Sequence, residues 1–275
     1  MDNLLELKNV SLTYHSKGGE TLALNNLNLD VGKGEFVSIV GPSGCGKTTI
    51  LSLVAGLIKP TSGTITLGGN QVSKPSSQVG YMFQRDNLFE WLTIYKNAML
   101  GQNIMHIKTA QSKQYVAELL KKYGLADFAK SYPSQLSGGM RQRAALIRTL
   151  ATKPDLLLLD EPFSALDYQT RLSVQDDIAS IIKSEQKTAV LVTHDISEAI
   201  AMSDRIFVLS PRPAMVKKIF ELEFDPALTP FERRGEPIFN QYFNSVWQEL
   251  QTGDTNTNSS NEKTIPSNIA GGDAS

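Results

Sequence analysis

Apolar and polar residues alternate through 4–14 and again through 22–31. The apolar positions are Leu5, Leu7, Val10, Leu12 and Tyr14, then Leu22, Leu24, Leu27, Leu29 and Val31. A period near two predicts two half-buried strands, joined by a turn at Gly18-Gly19. Gly32-Lys33-Gly34-Glu35 makes a second turn. The runs Phe36–Val40, Leu156–Leu159 and Thr188–Val192 are almost continuously apolar. That pattern fits strands covered on both faces, as in a parallel sheet. Residues 62–69 read as a short strand and turn, and Ile206–Leu209 as a further strand. A helix is expected over Thr48–Leu57, and helix signals follow the strands at 156–159 and 188–192. From about 86 to 150 the character is helical, with Val116, Leu119, Leu120 and Tyr123 at helical spacing and Gly124 as a stop. Beyond Pro211, one amphipathic helix starts at Pro237 and carries Ile238, Phe239, Tyr242, Phe243, Val246, Trp247 and Leu250. Its apolar face is expected to pack on the body of the same chain. Residues 251–275 are rich in Thr, Asn, Ser and Gly, and a disordered tail is expected there.

The chain has 275 residues, 41% of them hydrophobic, enough for a sizeable core in one large domain or two small ones. A net charge of −1 argues against a sequence-wide basic surface for nucleic acid or anionic lipid. The single cysteine, Cys45, excludes an intrachain disulfide and fits a reducing compartment. The N-terminus lacks the basic start and long apolar core of a signal peptide. No apolar run approaches the ~18–20 residues needed to cross a bilayer. A role at a membrane therefore requires a partner that spans it.

Three segments carry chemistry. Gly41-Pro42-Ser43-Gly44-Cys45-Gly46-Lys47-Thr48 matches G-x-x-x-x-G-K-[ST], between an apolar strand and a helix. Glycines let the backbone curl so that successive N–H groups face phosphate oxygens, and the helix start adds positive potential. Lys47 adds a full charge for the β- and γ-phosphates, the Thr48 hydroxyl suits Mg²⁺, and Thr49 reaches toward the α-phosphate. Cys45 is a small spacer whose thiol Lys47 and the helix start are expected to make more reactive. In the second segment, Leu156–Leu159 ends in Asp160-Glu161. Acids at the carboxyl edge of a parallel sheet face a ligand there, with Asp160 suited to Mg²⁺ and Glu161 to orienting or deprotonating water. His194, after the strand at 188–193, falls where a γ-phosphate contact is expected. In the third, Ser137 is an N-cap, and Gly138-Gly139 expose N–H groups at a helix start. That is a second anion site, of little use to one nucleotide within one subunit.

Leu136-Ser137-Gly138-Gly139-Met140-Arg141-Gln142 resembles the signature motif of ABC ATPases. The rest of that family's set stands in order. Tyr14 resembles the aromatic residue that stacks on adenine, Gly41–Thr48 the Walker A loop, Gln84 the Q-loop and Asp160-Glu161 the Walker B end. Ser164-Ala165-Leu166-Asp167 resembles the D-loop and His194 the switch histidine, and the resemblance covers residues 4 to about 210. It implies an α/β fold, a P-loop ABC ATPase with a RecA-like core, an antiparallel β subdomain and a helical subdomain at about 86–150. An extension at about 211–250 completes a domain of residues 1–250. The resemblance also implies an Mg²⁺-dependent ATPase, with Gln84 beside Thr48 and Asp160 near the metal. Two nucleotide-binding subunits, identical or paralogous, close head to tail around two ATP molecules. Each ATP is then held by the Walker A loop of one subunit and Ser137–Gly139 of the other, with Asp167 nearby. Partners implied are integral membrane permease subunits and, indirectly, a solute-binding protein, at the cytoplasmic face of the inner membrane, with no nucleic acid.

Gln84, Leu88, Trp91, Leu136–Arg143 and Ser210-Pro211-Arg212-Pro213 resemble the nitrate, sulfonate and taurine branch of importer ATPases. Ala214-Met215 departs from that branch, which often continues Gly-Arg. Phe89 and Trp91 fit either the helical subdomain's own core or a groove receiving a permease helix. Alternative readings are an ABC ATPase of another importer, an exporter, a non-transport ATPase acting on DNA or ribosomes, or a regulator without turnover. The single cassette, the lack of sustained heptads and the intact Glu161 and His194 favour the transport reading.

Overall fold

The computed structural model describes residues 3–16 and 18–252, so the tail expected over 251–275 lies almost wholly outside the described residues. In chain order the strands and helices begin with β1 (Asn3–Ser16), β2 (Gly19–Gly32), β3 (Phe36–Val40) and α1 (Lys47–Val54). β4 (Ser62–Leu67), β5 (Asn70–Gln71) and β6 (Val79–Met82) follow. Then come α2 (Ile94–Ala98), α3 (Leu100–Ile104), α4 (Ala110–Lys122) and α5 (Gly138–Leu150). β7 (Leu156–Asp160), α6 (Tyr168–Ser184), β8 (Thr188–Val192), α7 (Ile196–Met202) and β9 (Arg205–Leu209) continue the alternation. β10 (Val216–Glu221), α8 (Pro230–Arg233) and α9 (Pro237–Gln251) close it.

The alternating strands β1 and β2 pair antiparallel in a four-stranded sheet of order β2-β1-β4-β5. The apolar runs form the second sheet, order β10-β9-β3-β8-β7-β6, parallel except for β10. Why these runs are unbroken is visible in β7. Leu157 and Leu159 enter the core on one face of the sheet, while Leu156 and Leu158 enter the core on the other. In β8, Ala189 and Leu191 divide from Val190 and Val192 in the same way. A strand buried on both sides has no polar position to alternate with. The fold is thus the α/β architecture expected. The loops that follow β3, β6, β7, β8 and β9 all open at one carboxyl edge, where ligands bind in such sheets.

α1 ends three residues earlier than expected, because Gly56 takes φ +71 against the backbone of Lys74 and Pro75. α4 stops where expected: Gly124, at φ +71, and Leu125 return N–H groups to the last turn. Helix over 86–93, by contrast, is overturned. Asn87 lies at φ +47 and Thr93 caps α2, so 83–93 is an irregular segment. Asn97 holds it. This fully buried amide accepts from the Phe89 N–H at 2.8 Å and donates to the carbonyls of Phe89, Leu92 and Thr93 at 3.0–3.1 Å. Asn97→Ala removes the partner of the Phe89 N–H and of the Leu92 carbonyl, whereas the carbonyls of Phe89 and Thr93 keep the N–H groups of Leu92 and residue 97, and the change is expected to destabilise the fold by about 2–3 kcal/mol. The shift of the urea midpoint measures it, and a shift within error of wild type would refute the clamp.

Four elements escaped the pattern reading, among them the two-residue β5. β6 is four residues long and contains Gly80, where a Cβ would stand 2.5 Å from Thr149 Cγ2. β10 is a half-exposed edge strand carrying Lys217 and Lys218, and α8 is a single turn. α9 meets its expectation in part. Phe239 and Val246 are buried against α7 and β9, but Trp247 remains half exposed, stacked 6.4 Å from Phe243.

Candidate functional site

The loop between β3 and α1 is built around its glycines. Gly44 sits at φ +72 and Gly46 at φ +125, conformations L side chains rarely adopt. At Gly41 a Cβ would lie 3.0 Å from both Cys45 Sγ and Leu209 Cβ. Lys47 is buried and folds back into the loop, its Nζ donating to the carbonyls of Gly41 at 2.8 Å and Pro42 at 3.1 Å. An ammonium held inside a ring of backbone is placed for an anion. Ser43 and Gly44 are exposed on the loop, while Pro42 is half-buried. Tyr14 leaves its ring partly exposed beside α1, with its hydroxyl 3.3 Å from Thr49 Oγ1.

The expectation of a reactive Cys45 is overturned. The side chain is buried, and burial pushes its thiol up by more than Lys47 and the loop N–H groups pull it down. Cys45 is a small apolar spacer beneath the loop.

Across the sheet edge, Asp160 ends β7 almost fully buried. Thr48 Oγ1 donates to one carboxylate oxygen at 3.2 Å and the Tyr81 hydroxyl to the other at 3.0 Å. Burial raises the Asp160 carboxyl, and these two hydrogen bonds oppose the rise. Burial and the facing carboxylate push the Tyr81 phenol well above its usual range, so it remains a donor. Thr48 and Asp160, joined at 3.2 Å, offer hard oxygen ligands, a donor pair that fits Mg²⁺ carried with phosphates.

Glu161, the next residue, occupies the left-handed region at φ +46 while its N–H donates to Val192 O at 2.8 Å. This backbone turn aims its carboxylate across two neighbouring loops. Glu161 Oε2 lies 3.1 Å from His194 Nδ1 and accepts from Gln84 Nε2 at 3.4 Å. Three residues from the ends of β6, β7 and β8 therefore meet at one point. His194 itself is largely exposed.

A further set of contacts holds Thr193 and Asp195, the residues on either side of His194, and no sequence signal marks it. Arg171 of α6 donates to Leu166 O at 3.2 Å and pairs with Asp195 at 3.5 Å and Glu198 at 3.8 Å. Glu198 is buried and accepts from Thr193 Oγ1 at 2.7 Å, and burial raises its carboxyl. The 164–167 turn and the His194 loop are thus tied through one guanidinium. No periodicity or motif marks such a link.

Ser137, Gly138 and Gly139 are not part of this cluster. Ser137 Oγ caps α5 by accepting from Met140 N at 3.3 Å. A Cβ on Gly138 would stand 3.0 Å from Leu166 Cδ2, and one on Gly139 2.8 Å from Val174 Cγ2. The glycines therefore also allow α5 to start hard against α6. Asp167 is exposed and caps α6, accepting from Thr170 N at 3.0 Å, and the Thr170 side chain together with that N–H lowers its carboxyl. Around Gln84 the 84–91 segment is bound to α5. Asp86 pairs with Arg141 at 3.1 Å, and Arg148 donates to the carbonyls of Asp86 and Asn87. Trp91 is 72% exposed and meets half-buried Phe89 in a tilted ring pair with centroids 4.9 Å apart, so it is not subdomain core.

The "ABC transporter" family model matches residues 24–164. An uncharacterized ABC transporter ATP-binding protein of Bacillus subtilis is 49% identical over 251 residues, covering 91% of this chain and 96% of that one. A taurine import ATP-binding protein of a Jannaschia species is 40% identical, covering 80% and 82%. Among solved structures, a dimeric ATP-binding cassette in a post-hydrolysis state with ADP and Pi superposes with a TM-score of 0.68. It is 34% identical, covering 80% of this chain and all of that one.

Proposed function

This chain belongs to the ABC transporter family, and from that premise we propose that it drives an importer of a small anionic solute of the nitrate, sulfonate or taurine type. It is an ATP-binding subunit with ATPase activity. The observation that carries the catalytic reading is the meeting of Gln84, Glu161 and His194 beside the Thr48–Asp160 pair. Lys47 and the N–H groups of Gly41–Thr48 hold the phosphates, and Tyr14 faces the adenine. Glu161 takes a proton from the attacking water, His194 positions the γ-phosphate and water, and Gln84 senses both. Thr48, Gln84 and Asp160 would hold Mg²⁺, which would supply positive charge against the phosphates. Tyr81 keeps Asp160 oriented toward that site.

One subunit leaves Ser137–Gly139 without a ligand. A second copy or close paralogue, docked head to tail, brings that helix start to the opposite side of the ATP, with Asp167 at the seam. The dimeric ADP–Pi cassette supports this reading. Trp91 and Phe89, presented on a segment fastened to α5, form an aromatic anchor for a permease helix. The fastening runs from Gln84 through Asp86 and Arg141 to Leu136, so closure at Ser137 and the docked helix move as one body. No described helix is long and apolar enough to cross a membrane, which is consistent with a peripheral subunit at the cytoplasmic face. The import direction and solute class are supported by the taurine import relatives and by Ser210–Pro213. A solute-binding protein delivers the cargo to the permease without contacting this chain.

Affinity purification of the tagged chain from detergent-solubilised membranes of its own source tests this. We expect an integral membrane protein to copurify and, in proteoliposomes with the solute-binding protein, taurine or another sulfonate to raise ATP turnover. Retention of ribosomes or DNA, with no membrane protein, would overturn the importer reading.

A further inference from the structure

The Ser210–Pro213 turn has no part in the cluster above, yet it lies against the phosphate loop. β9 neighbours β3, so the turn leaving β9 opens beside the loop leaving β3. The turn is folded on itself. Ser210 Oγ donates toward the carbonyls of Pro211 at 2.9 Å and Pro213 at 3.2 Å, and it accepts from Met215 N at 3.0 Å. It is also stitched to β2. The buried Ala214 donates to Ala23 O at 2.9 Å and accepts from Asn25 N at 3.0 Å. From this fixed base Arg212 reaches over, and its Nη2 donates to Gly44 O at 2.8 Å. Gly44 is the residue that turns the loop through φ +72. In a phosphate-binding loop successive N–H groups form the anion nest, and here the carbonyl of exposed Gly44, unlike those of Gly41 and Pro42, is not taken by Lys47 inside the loop. A guanidinium on that carbonyl both fixes the turn and places a positive charge behind it. Among the described residues Arg212 enters no ion pair that would cancel that charge.

We propose that Arg212 is a positioning residue for the nucleotide, holding the Gly44 turn and strengthening the grip of Gly41–Thr48 on a bound di- or triphosphate. The inference rests on the reading that this loop holds the phosphates. It also gives the Ser210–Pro213 turn a mechanical task.

The test uses the full chain and fluorescently labelled ATP and ADP, with Arg212→Ala, Arg212→Lys and Lys47→Ala. Arg212→Ala is expected to weaken both nucleotides about five- to tenfold, the scale of one charge-assisted hydrogen bond at an exposed site. The KM for ATP rises in step, and kcat at saturating ATP stays within about twofold of wild type. Arg212→Lys recovers part of the affinity, because it keeps the charge but not the planar fork. Unchanged affinity for both nucleotides overturns the proposal, as does a loss confined to kcat. If Arg212→Ala does not fold by circular dichroism, Arg212→Gln, which keeps bulk and a neutral donor, is held to the same two outcomes. Lys47→Ala separates the layers. Normal ATP binding by Lys47→Ala sinks the phosphate-loop reading itself. Lost binding there, with Arg212→Ala unaffected, sinks only the role of Arg212.

Discussion

Glu161→Gln is expected to bind ATP as tightly as wild type, to hydrolyse it roughly 100- to 10,000-fold more slowly, and to accumulate as an ATP-bound dimer. Glutamine is nearly isosteric with glutamate, so the left-handed turn at φ +46 and the N–H bond to Val192 are kept. The substitution removes the negative charge and the proton acceptor. Its amide oxygen still accepts from Gln84 Nε2, but it cannot draw a proton from water. Binding rests on different atoms, those of Lys47, Thr48 and the loop glycines, and none of them touches Glu161 in the described structure. The two effects should therefore separate. Phosphate release reports turnover, and light scattering in saturating ATP and Mg²⁺ reports mass. A variant that hydrolyses within about tenfold of wild type removes Glu161 from the chemistry. A variant that stays monomeric under saturating ATP removes the closed dimer.

How far the site could be read from residues alone depended on how local each feature is. Gly41–Thr48 and Asp160-Glu161 are contiguous, and each lies where an apolar strand ends, so strand and loop identify one another. The bonds that aim these groups are not local. Asp160 is 79 positions from Tyr81 and 112 from Thr48. Tyr81 lies on β6, a strand too short and glycine-interrupted to show a period. Arg171 and Glu198 face each other from two helices, and each separately looks like an ordinary helical charge. Ser210–Pro213 was visible as a proline-bounded turn, but its contact with Gly44 crosses 168 positions. Cys45 shows the reverse error. The nearby charge was legible and the burial was not, and burial decided the direction of its shift. Helix over 86–93 failed for a similar reason. The helical character expected from about 86 onward rests on positions such as Val116, Leu119 and Leu120, whereas at 86–93 the buried amide of Asn97 takes backbone groups a helix would use.

The placement of Ser137 leads to the second large effect. Its hydroxyl caps α5, its neighbours abut Leu166 and Val174, and none of these partners belongs to the 41–48 loop. If each ATP is gripped by Lys47 of one chain and the Ser137 helix start of its mate, two different dead variants should repair each other. Lys47→Ala removes the charge inside the loop. Ser137→Arg puts a bulky cation where the second grip should close. Because Ser137 is exposed, the change costs the fold only about 1 kcal/mol of lost cap. Each variant alone is expected to hydrolyse ATP at background rate. Mixed one to one, half the dimers pair unlike chains. In each such dimer one pocket combines an intact Lys47 with an intact Ser137, while the other carries both defects. Activity should return to at most roughly a quarter of wild type, the fraction of pockets made whole by random two-fold pairing. If both grips came from the same chain, every pocket in the mixture would keep one defect and nothing would return. A mixture as inactive as its components, with unlike pairing verified by two affinity tags, would mean that Ser137–Gly139 serves its own subunit or no nucleotide at all.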